Sequence, residues 1–227
     1  VLDYEKSSHL SSHIAMLPQT PEPEPLRRLP QQARSRQRFN QILDAAAQVF
    51  EEIGYEAATT EAIAARANTS IGSLYRFFPD KSAILYALAE RYAEQLQVLF
   101  AEIFNPEATE RSLATVLSDA VDAYDRFYTT QPGYRVVFLH SQASPELQAV
   151  NKRLDREIVV QLDTFLARRQ LDMAPERRSM VAMVSVEVAS ALLLLSWTQD
   201  KALREQLLDE TKYILTSYLQ PLFPERS

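Results

Sequence analysis

The spacing of the apolar side chains constrains the fold of this chain more than any other feature of the sequence. From Arg34 onward, apolar residues recur three and four positions apart. The first run consists of Phe39, Ile42, Leu43, Ala46, Val49, Phe50 and Ile53. This period places the side chains on one face of an α-helix. No two neighbouring segments alternate as paired strands do, so the sequence predicts an all-α fold of about nine helices.

Turn and capping residues divide this pattern into separate helices. Gly54 and the turn sequence at 131–133 mark breaks in it. Thr59, Asp80 and Ser144 are candidate amino-terminal caps, as is either Thr69 or Ser70 for the third helix, because their side-chain oxygens can accept hydrogen bonds from free backbone amides. The expected segments are 34–53, 59–67, 70–78, 80–104, 107–130, 134–140, 144–170, 174–198 and 201–222.

Residues 1–33 differ in composition from the rest of the chain. They hold five of the 12 prolines, which fix φ and remove a backbone donor, so this segment is not expected to be helical. We interpret it as a disordered, proline-rich tail that lacks the apolar stretch of a signal peptide. We expect a smaller folded unit, called the head, over 34–83 and a larger helical domain, called the body, over 84–227.

Composition excludes several kinds of chemistry. The chain has no cysteine, so disulfides and thiolate metal sites are ruled out, and its three glycines are too few for a phosphate-binding loop. His9 and His13 have no third ligand nearby and do not indicate a metal site. No pair of a nucleophile and a base is recognisable by spacing. We therefore expect no cofactor, no metal and no enzymatic activity.

The segment 59–78 carries the strongest functional pattern. Two short helices with small apolar residues on their inner sides are joined by a tight turn at Asn68, which is typical of a helix-turn-helix unit. Hydroxyl and guanidinium groups on the second helix can reach phosphates and base edges. The alternative interpretation is an ordinary helical hairpin with one face in solvent.

A basic segment before this unit favours the nucleic-acid interpretation. The 19 residues between Glu24 and Asp44 contain no acid and five arginines, although the net charge of the chain is −6. Cations at the start of a helix oppose its dipole, so another interaction must favour them, and phosphates would supply it. The arginines are Arg27, Arg28, Arg34, Arg36 and Arg38.

The stretch 36–85 resembles the amino-terminal DNA-binding domain of TetR-family transcriptional regulators. The resemblance is carried by Ile42, Leu43, Ala45, Ala46, Phe50, Gly54, Tyr55, Thr60, Ile63, Ala64, Ala67, Ser70, Gly72, Leu74, Tyr75, Phe78 and Lys81. It implies that a recognition helix enters the major groove of DNA, with Leu74 and Phe78 in the core. Asn68, Thr69, Ile71 and Phe77 depart from the family's usual residues, and the last two are expected to alter base preference.

The resemblance also implies which residues contact DNA. Thr60, Tyr75 and Lys81 correspond to phosphate contacts, and Arg36 and Arg38 belong to the basic segment. The remaining candidates lie on the recognition helix and are Ser70, Ile71, Gly72, Ser73, Arg76 and Phe77.

The body is acidic and is expected to face away from DNA. Its segment 179–198 carries a single charge, Glu187, in twenty residues. A carboxylate in mid-span and four serines argue against a membrane helix, so we expect a helix buried on most sides. Together with the last helix, it is expected to form a homodimer as a four-helix bundle, which is also how the family dimerises.

Aromatic residues of the body suggest an apolar effector pocket between helices. The alternative is plain core packing. The candidate residues are Phe104, Tyr124, Phe127, Tyr128, Phe138, His140, Phe165 and Trp197.

The sequence as a whole predicts a cytoplasmic, homodimeric transcriptional regulator. The expected partners are a palindromic double-stranded operator and a small apolar or aromatic effector, and the resemblance implies repression. One alternative is a DNA-binding protein without an effector, which a fully packed body would favour. Another is an all-α enzyme that uses the helical pocket, which paired polar groups in a cleft would favour.

Overall fold

A computed structural model describes residues 33–141, 144–169 and 172–223. This part of the chain contains nine α-helices, one 3-10 helix and no strand, which confirms the predicted fold class. The helices are α1 Ala33–Ala57, α2 Thr60–Arg66, α3 Ile71–Tyr75, α4 Lys81–Ile103, α5 Leu113–Thr130, α6 Tyr134–Ser141, α7 Pro145–Arg169, α8 Pro175–Trp197 and α9 Lys201–Leu219. The predictions for the tail at 1–32, which include those for His9, His13, Arg27 and Arg28, lie outside these residues.

The helices of the head begin where the capping residues predict. The hydroxyl of Thr59 accepts a hydrogen bond from the amide of Ala62 and so caps α2. Ser70 caps α3 in the same way, and the carboxylate of Asp80 caps α4. Each cap satisfies an amide that has no partner inside its own helix. The three short connections therefore follow directly from the sequence.

The connections of the head also need unusual backbone angles. Asn68 has a φ of 49°, as predicted for the turn between α2 and α3. Gly54 has a φ of 77° and kinks α1, which continues to Ala57 rather than ending at 53. The turn and the kink bring α1, α2 and α3 together around Phe50, Ile63 and Leu74, which are fully buried.

Two predicted helix boundaries were wrong. The segment expected as one helix over 107–130 is a 3-10 helix at Pro106–Glu110 followed by α5. Side-chain caps at Asn105 and Ser112 start each piece separately. The recognition helix ends at Tyr75 rather than near Phe78. Pro79 prevents the helix from continuing, because proline disfavours helical angles in the residue before it.

The body is a bundle in which α7 packs against α4 and α8, and α9 packs against α8 and α5. Helix α4 runs without a break from the head into the body, so the predicted boundary at residue 83 lies in its first turn. One continuous helix therefore joins the head to the body.

A second link joins the head to the turn between α5 and α6. The backbone amide of Gly133 donates to the carboxylate of Glu51 in α1 at 3.0 Å. The hydroxyl of Tyr92 in α4 donates to the carbonyl of Pro132 at 2.6 Å. An ion pair of 2.5 Å between Arg91 and Asp44 joins α4 to α1 at the same place. The head and the body thus contact each other through specific polar groups.

Helix α8 is less buried than the sequence suggests. It is the one helix of the described residues that is long and apolar enough to cross a membrane, and 33% of its most apolar window is buried. One subunit alone therefore does not bury this helix on most sides, which disfavours burial inside one subunit as the reason for its apolar composition; the expected burial in a dimer stays a prediction. Its inner side packs against α7 and α9, and Glu187 lies on its exposed side.

Candidate nucleic-acid interface and effector cavity

The recognition helix presents a small, mixed surface to solvent. Ile71 and Tyr75 are 37% and 41% exposed, whereas Leu74 between them is fully buried. Ser70, Gly72 and Arg76 are exposed on the same segment, and Ser73 is half-buried. This surface combines an apolar group, hydroxyls and a guanidinium, which can contact thymine methyls, phosphates and base edges.

Two hydroxyl groups from different helices meet beside the recognition helix. The side chain of Thr60, at the start of α2, lies 3.0 Å from the hydroxyl of Tyr75 in α3. The hydroxyl of Thr60 also donates to the carboxylate of Glu61 at 3.3 Å, so a phosphate oxygen can bind here by replacing these contacts as the acceptor, because both residues border solvent. The sequence predicted both residues as phosphate contacts, and the fold brings them together.

Phe77 does not lie on the exposed surface, contrary to the prediction. It is 3% exposed and packs edge-on against Phe39 at 6.0 Å between ring centres. α3 has ended before this residue, so its side chain turns back toward α1. Phe77 is thus a core residue that cannot read bases, and Arg76 lies over its ring at 5.2 Å.

The side chain of Lys81 is also used within the fold. Its ammonium group donates to the backbone carbonyls of Tyr55, Glu56 and Ala58 at 2.7, 3.2 and 2.9 Å. An ammonium group has three donors, so none remains for a phosphate. The assignment of Lys81 as a phosphate contact is therefore replaced by a structural role, in which it holds the end of α1 against α4.

The basic segment lies close to the end of the recognition helix. Phe39 stacks on Phe78 at 4.9 Å, which brings the first turn of α1 next to the residues that follow α3. Arg36 and Arg38 are exposed there, and neither forms an ion pair with a described residue. Two unpaired cations and the exposed residues of α3 therefore lie in one region of the surface.

The body contains a narrow apolar cavity of about 60 Å³. Two of the predicted effector residues, Phe104 and Tyr124, line it. The other lining residues are mostly aliphatic and come from α4, α5, α7, α8 and α9: Phe100, Leu117, Ala120, Val121, Ile158, Leu162, Ser185, Val186, Ala189, Ser190, Leu193 and Leu215. An apolar enclosure with a few hydroxyls is typical of small-molecule sites.

Most of the other predicted effector residues lie elsewhere. Phe138 and Phe165 are buried side chains that do not line the cavity, and Phe127 packs against Tyr92 and Tyr134. They form the aromatic core, as the alternative interpretation expected. This part of the pocket prediction was wrong, because helical spacing does not distinguish a pocket wall from a core.

His140 was also predicted in the pocket and instead contacts the head. Its ring lies 4.6 Å from the ring of Tyr55, and its Nε2 lies 3.7 Å from the carboxylate of Glu56. Both partners belong to α1. Tyr128 and Trp197, the remaining candidates, stack on each other at 4.0 Å and line a separate groove.

Polar groups at one side of the cavity were missed by the sequence analysis. Ser185 and Ser190 line it from α8, and Ser190 donates to the carboxylate of Asp155 at 3.3 Å. The hydroxyl of Tyr124 lies 3.2 Å from that of Tyr134, and burial raises the pKa of Tyr124 to about 12. The sequence feature that could have indicated this polar side of the cavity is the presence of Ser185 and Ser190 in an otherwise apolar helix.

Asp155 is expected to make the stability of the body depend on pH. Burial, and then the charge of Glu187, raise its pKa from 3.8 to about 6, against smaller opposing effects of Ser190 and Arg156. A raised pKa means that the contribution to stability is complete below pH 3.8 and is lost as pH rises through about 6. Asp155→Asn should therefore raise the melting temperature at pH 7.5 and change it little at pH 4, as measured by circular dichroism. An equal effect at both values of pH would contradict this.

Large apolar side chains remain exposed on α8 and α9, in a row that Glu187 interrupts on α8. Met180, Met183 and Leu195 of α8 are 38%, 39% and 46% exposed. They lie on one side of the helix with Glu187 and Ala191, at spacings of three and four. On α9, Leu203 and Ile214 are 41% and 40% exposed, and Tyr213 is 68% exposed. We call these exposed residues of α8 and α9 the α8–α9 face.

Comparisons with known families match two parts of the chain. Residues 42–88 match the family model described as "Bacterial regulatory proteins, tetR family". Residues 112–219 match the model described as "Tetracyclin repressor-like, C-terminal domain". The first match covers the helix-turn-helix unit, and the second covers α5 to α9, which include the α8–α9 face and all the helices that line the cavity except α4.

Individual relatives are regulators of transcription. The chain is 30% identical over 123 residues to the HTH-type transcriptional repressor KstR of Rhodococcus jostii, which is 53% of this chain and 58% of that protein. It is 28% identical to the HTH-type transcriptional activator FasR of Mycolicibacterium smegmatis, over 68% of this chain and 71% of that protein. These proteins are not enzymes, which agrees with the sequence prediction.

Solved structures show the same fold. A TetR-family transcriptional regulator from Streptomyces coelicolor superposes with a TM-score of 0.61 at 29% identity. The match covers 83% of this chain and 98% of that one. The similarity therefore extends through the head and the body.

Proposed function

Because the chain belongs to the TetR family of bacterial regulatory proteins, we propose that it is a homodimeric repressor that binds a palindromic operator and responds to a small-molecule effector. The observation that carries the DNA-binding part is the exposed surface of α3, beside the hydroxyl pair of Thr60 and Tyr75 and two unpaired arginines. The proposed domains remain a head over 34–83 and a body over 84–227.

In the proposed complex, α3 lies in the major groove. Ser70, Ile71, Gly72 and Arg76 face the bases, and Ser73 lies at the edge of the contact. The hydroxyls of Thr60 and Tyr75 bind the backbone phosphates, together with Arg36 and Arg38. Phosphate contacts fix the position of the helix, whereas base contacts select the sequence.

The proposed dimer forms through the α8–α9 face. An exposed apolar patch on two packed helices is stabilised when a second copy covers it, and a symmetric interface buries the same patch twice. The result is a four-helix bundle. A two-fold axis presents two recognition helices to one side of DNA, which suits a palindrome.

The proposed effector binds in the apolar cavity. It is a mainly apolar molecule with one hydrogen-bonding group, which lies near Ser190. Phe100 and Phe104 line the cavity from the end of α4, whose start contacts the head. A ligand that exceeds the free space of the cavity would push apart the helices that line it, including the end of α4. Movement of α4 would change the separation of the two recognition helices, provided that the effector binds the two conformations with different affinities. A repressor of this kind acts on chromosomal DNA in the cytoplasm.

Removing the hydroxyl of Tyr75 tests the proposed phosphate contact. We expect Tyr75→Phe to weaken binding to specific and unrelated DNA alike by roughly five- to tenfold, because it removes one hydrogen bond of about 1 kcal/mol. The slope of binding against salt should not change, since the hydroxyl carries no charge. Fluorescence anisotropy over a range of salt concentrations measures both quantities.

Two further variants complete this test. Arg36→Gln combined with Arg38→Gln should reduce the salt slope by about two, or about one for each lost ionic contact. Thr164→Val removes an exposed hydroxyl on α7, outside the head and the α8–α9 face, so it should bind as the parent does. Full affinity in Tyr75→Phe would refute the assignment of this contact.

A further inference from the structure

A second, polar groove of about 400 Å³ lies where the head meets the body. It is lined by Glu51 of α1, by Tyr128 and the turn that follows α5, and by Arg135 of α6. Trp197, Lys201 and Arg204 close its other side. Its volume lies within the range of roughly 300–1,000 Å³ that small-molecule sites have, and it shares no lining residue with the apolar cavity.

Three cations line the groove, and two of them are paired with carboxylates. Arg204 is held by Asp125 through contacts of 2.5 and 3.0 Å, so its charge is largely balanced. Lys201 lies 3.9 Å from Glu205 in a weak, exposed pair. Arg135 is exposed and forms no ion pair with any residue between 33 and 223 that the structure describes. Arg135 is therefore the one cation of the groove lining that has no carboxylate partner among the described residues, although Glu51 lines the same groove.

A buried hydroxyl at the wall of the groove also lacks a partner. Tyr128 is 7% exposed, and its hydroxyl makes no hydrogen bond within the described part of the chain. Burial raises the pKa of Tyr128, although the positive charges of Arg135 and Arg204 and a side-chain contact with Arg135 act against this. An arginine can only donate, so the proton of the hydroxyl still has no acceptor among the described residues. The hydroxyl therefore stays protonated at neutral pH and is available as a donor. Buried donors without acceptors are rare in folded proteins, and a ligand would satisfy this one.

We propose that this groove binds a small, polar organic acid that carries a single carboxylate. The carboxylate would pair with Arg135 and accept a hydrogen bond from the hydroxyl of Tyr128. The amide oxygen of Gln199 and the backbone and side chains of the turn can bind hydroxyl groups on the rest of the ligand. A single unpaired arginine favours a monoanion over a dianion, because Glu51 would repel a second negative charge.

The position of the groove gives the ligand contact with both units of the protein. Glu51 of the head accepts a hydrogen bond from the amide of Gly133 in the turn of the body. Trp197 donates to Asp125, which also binds Arg204. A ligand at Arg135 thus lies among groups that hold the head and the body together. The binding site itself does not depend on the proposed regulatory function.

Trp197 allows a direct test, because it is the single tryptophan of the chain and lines the groove. The full-length protein is titrated with sodium gluconate at constant ionic strength while the tryptophan fluorescence is recorded. Sorbitol, a six-carbon polyol without a carboxylate, and sodium chloride serve as matched controls. We expect a saturable change with gluconate and none with sorbitol or chloride.

Variants then assign the site. Arg135→Gln should weaken gluconate binding at least tenfold, and Tyr128→Phe should weaken it severalfold while keeping the stacked ring. Arg177→Gln, an exposed arginine at the start of α8, should bind as the parent does. The absence of a saturable change with gluconate, an equal response to sorbitol, or full affinity in Arg135→Gln would overturn the proposal. Circular dichroism confirms that each variant is folded.

Discussion

Replacing Leu195 with arginine is expected to convert the dimer into a monomer and to lower operator affinity by about 100-fold or more. Leu195 is 46% exposed in one subunit and lies in the apolar row of α8 that the proposed interface covers. An arginine there would have to lose water without gaining a partner, which costs several kcal/mol. Two such residues, one from each subunit, would enter the same interface.

The loss of DNA affinity follows from the loss of the second half-site. A dimer places two recognition helices on one duplex, so the second contact is effectively intramolecular. A monomer retains only one set of contacts. Size-exclusion chromatography with light scattering gives the mass, and a gel-shift titration gives the affinity.

Leu139→Arg is the matched control for this variant. Leu139 is 47% exposed, nearly the same as Leu195, but it lies on α6, away from the α8–α9 face. The Leu139→Arg variant should therefore remain dimeric. If Leu195→Arg were also dimeric and bound operator DNA normally, the proposed interface would be wrong.

Gly133→Ala is expected to destabilise the protein by about 2–5 kcal/mol, which corresponds to a decrease in melting temperature of about 5–15 °C. The φ of Gly133 is 72°, a region that residues with a side chain rarely adopt. A β-carbon there would also lie 2.8 Å from the carbonyl oxygen of Ala47 and 2.9 Å from its α-carbon. These are backbone atoms of α1, so they can move away only if the head shifts against the body.

The other two glycines of the chain separate the two causes. Gly54 has a φ of 77° but open space around its α-carbon, so Gly54→Ala should show backbone strain alone, about 1–2 kcal/mol. Gly72 has open space and no positive φ, so Gly72→Ala should leave the melting temperature nearly unchanged. Thermal unfolding, monitored by circular dichroism, gives the melting temperatures, which should decrease in the order Gly72→Ala, Gly54→Ala, Gly133→Ala. Equal melting temperatures for Gly133→Ala and Gly72→Ala would show that the close contact with Ala47 is not important.

Local features of the fold were predictable from the sequence because short-range interactions determine them. Thr59, Ser70 and Asp80 cap the helices that follow them. Asn68 adopts the predicted left-handed conformation. In each case, a residue acts on backbone groups within three positions of itself, so no knowledge of the tertiary structure is needed.

The positions of some side chains depend on contacts between distant segments and were not predictable in this way. Phe77 follows the recognition helix in sequence but packs against Phe39 of α1. Lys81 binds carbonyl groups 23–26 residues earlier in the chain. A phenylalanine or a lysine at these positions is compatible with a contact to DNA and also with a contact inside the protein. Only the tertiary structure shows which of these two contacts each residue makes.

The same limit applies to the cavity. Aromatic residues were chosen as pocket residues by type, yet the wall is mainly aliphatic and includes Ser185, Ser190 and Ala189. Which face of a helix borders empty space depends on how closely its neighbours pack, and this is not encoded in the residues of that helix alone.

The central claim is that two copies of this chain read a palindrome through α3. Selection of bound sequences from a pool of random double-stranded DNA by the purified full-length protein tests it most directly. We predict that the selected sequences share an inverted repeat whose half-sites are centred about 10–10.5 base pairs apart, or a multiple of that spacing. Recovery of a single, unrepeated site, or of no shared sequence, would contradict it.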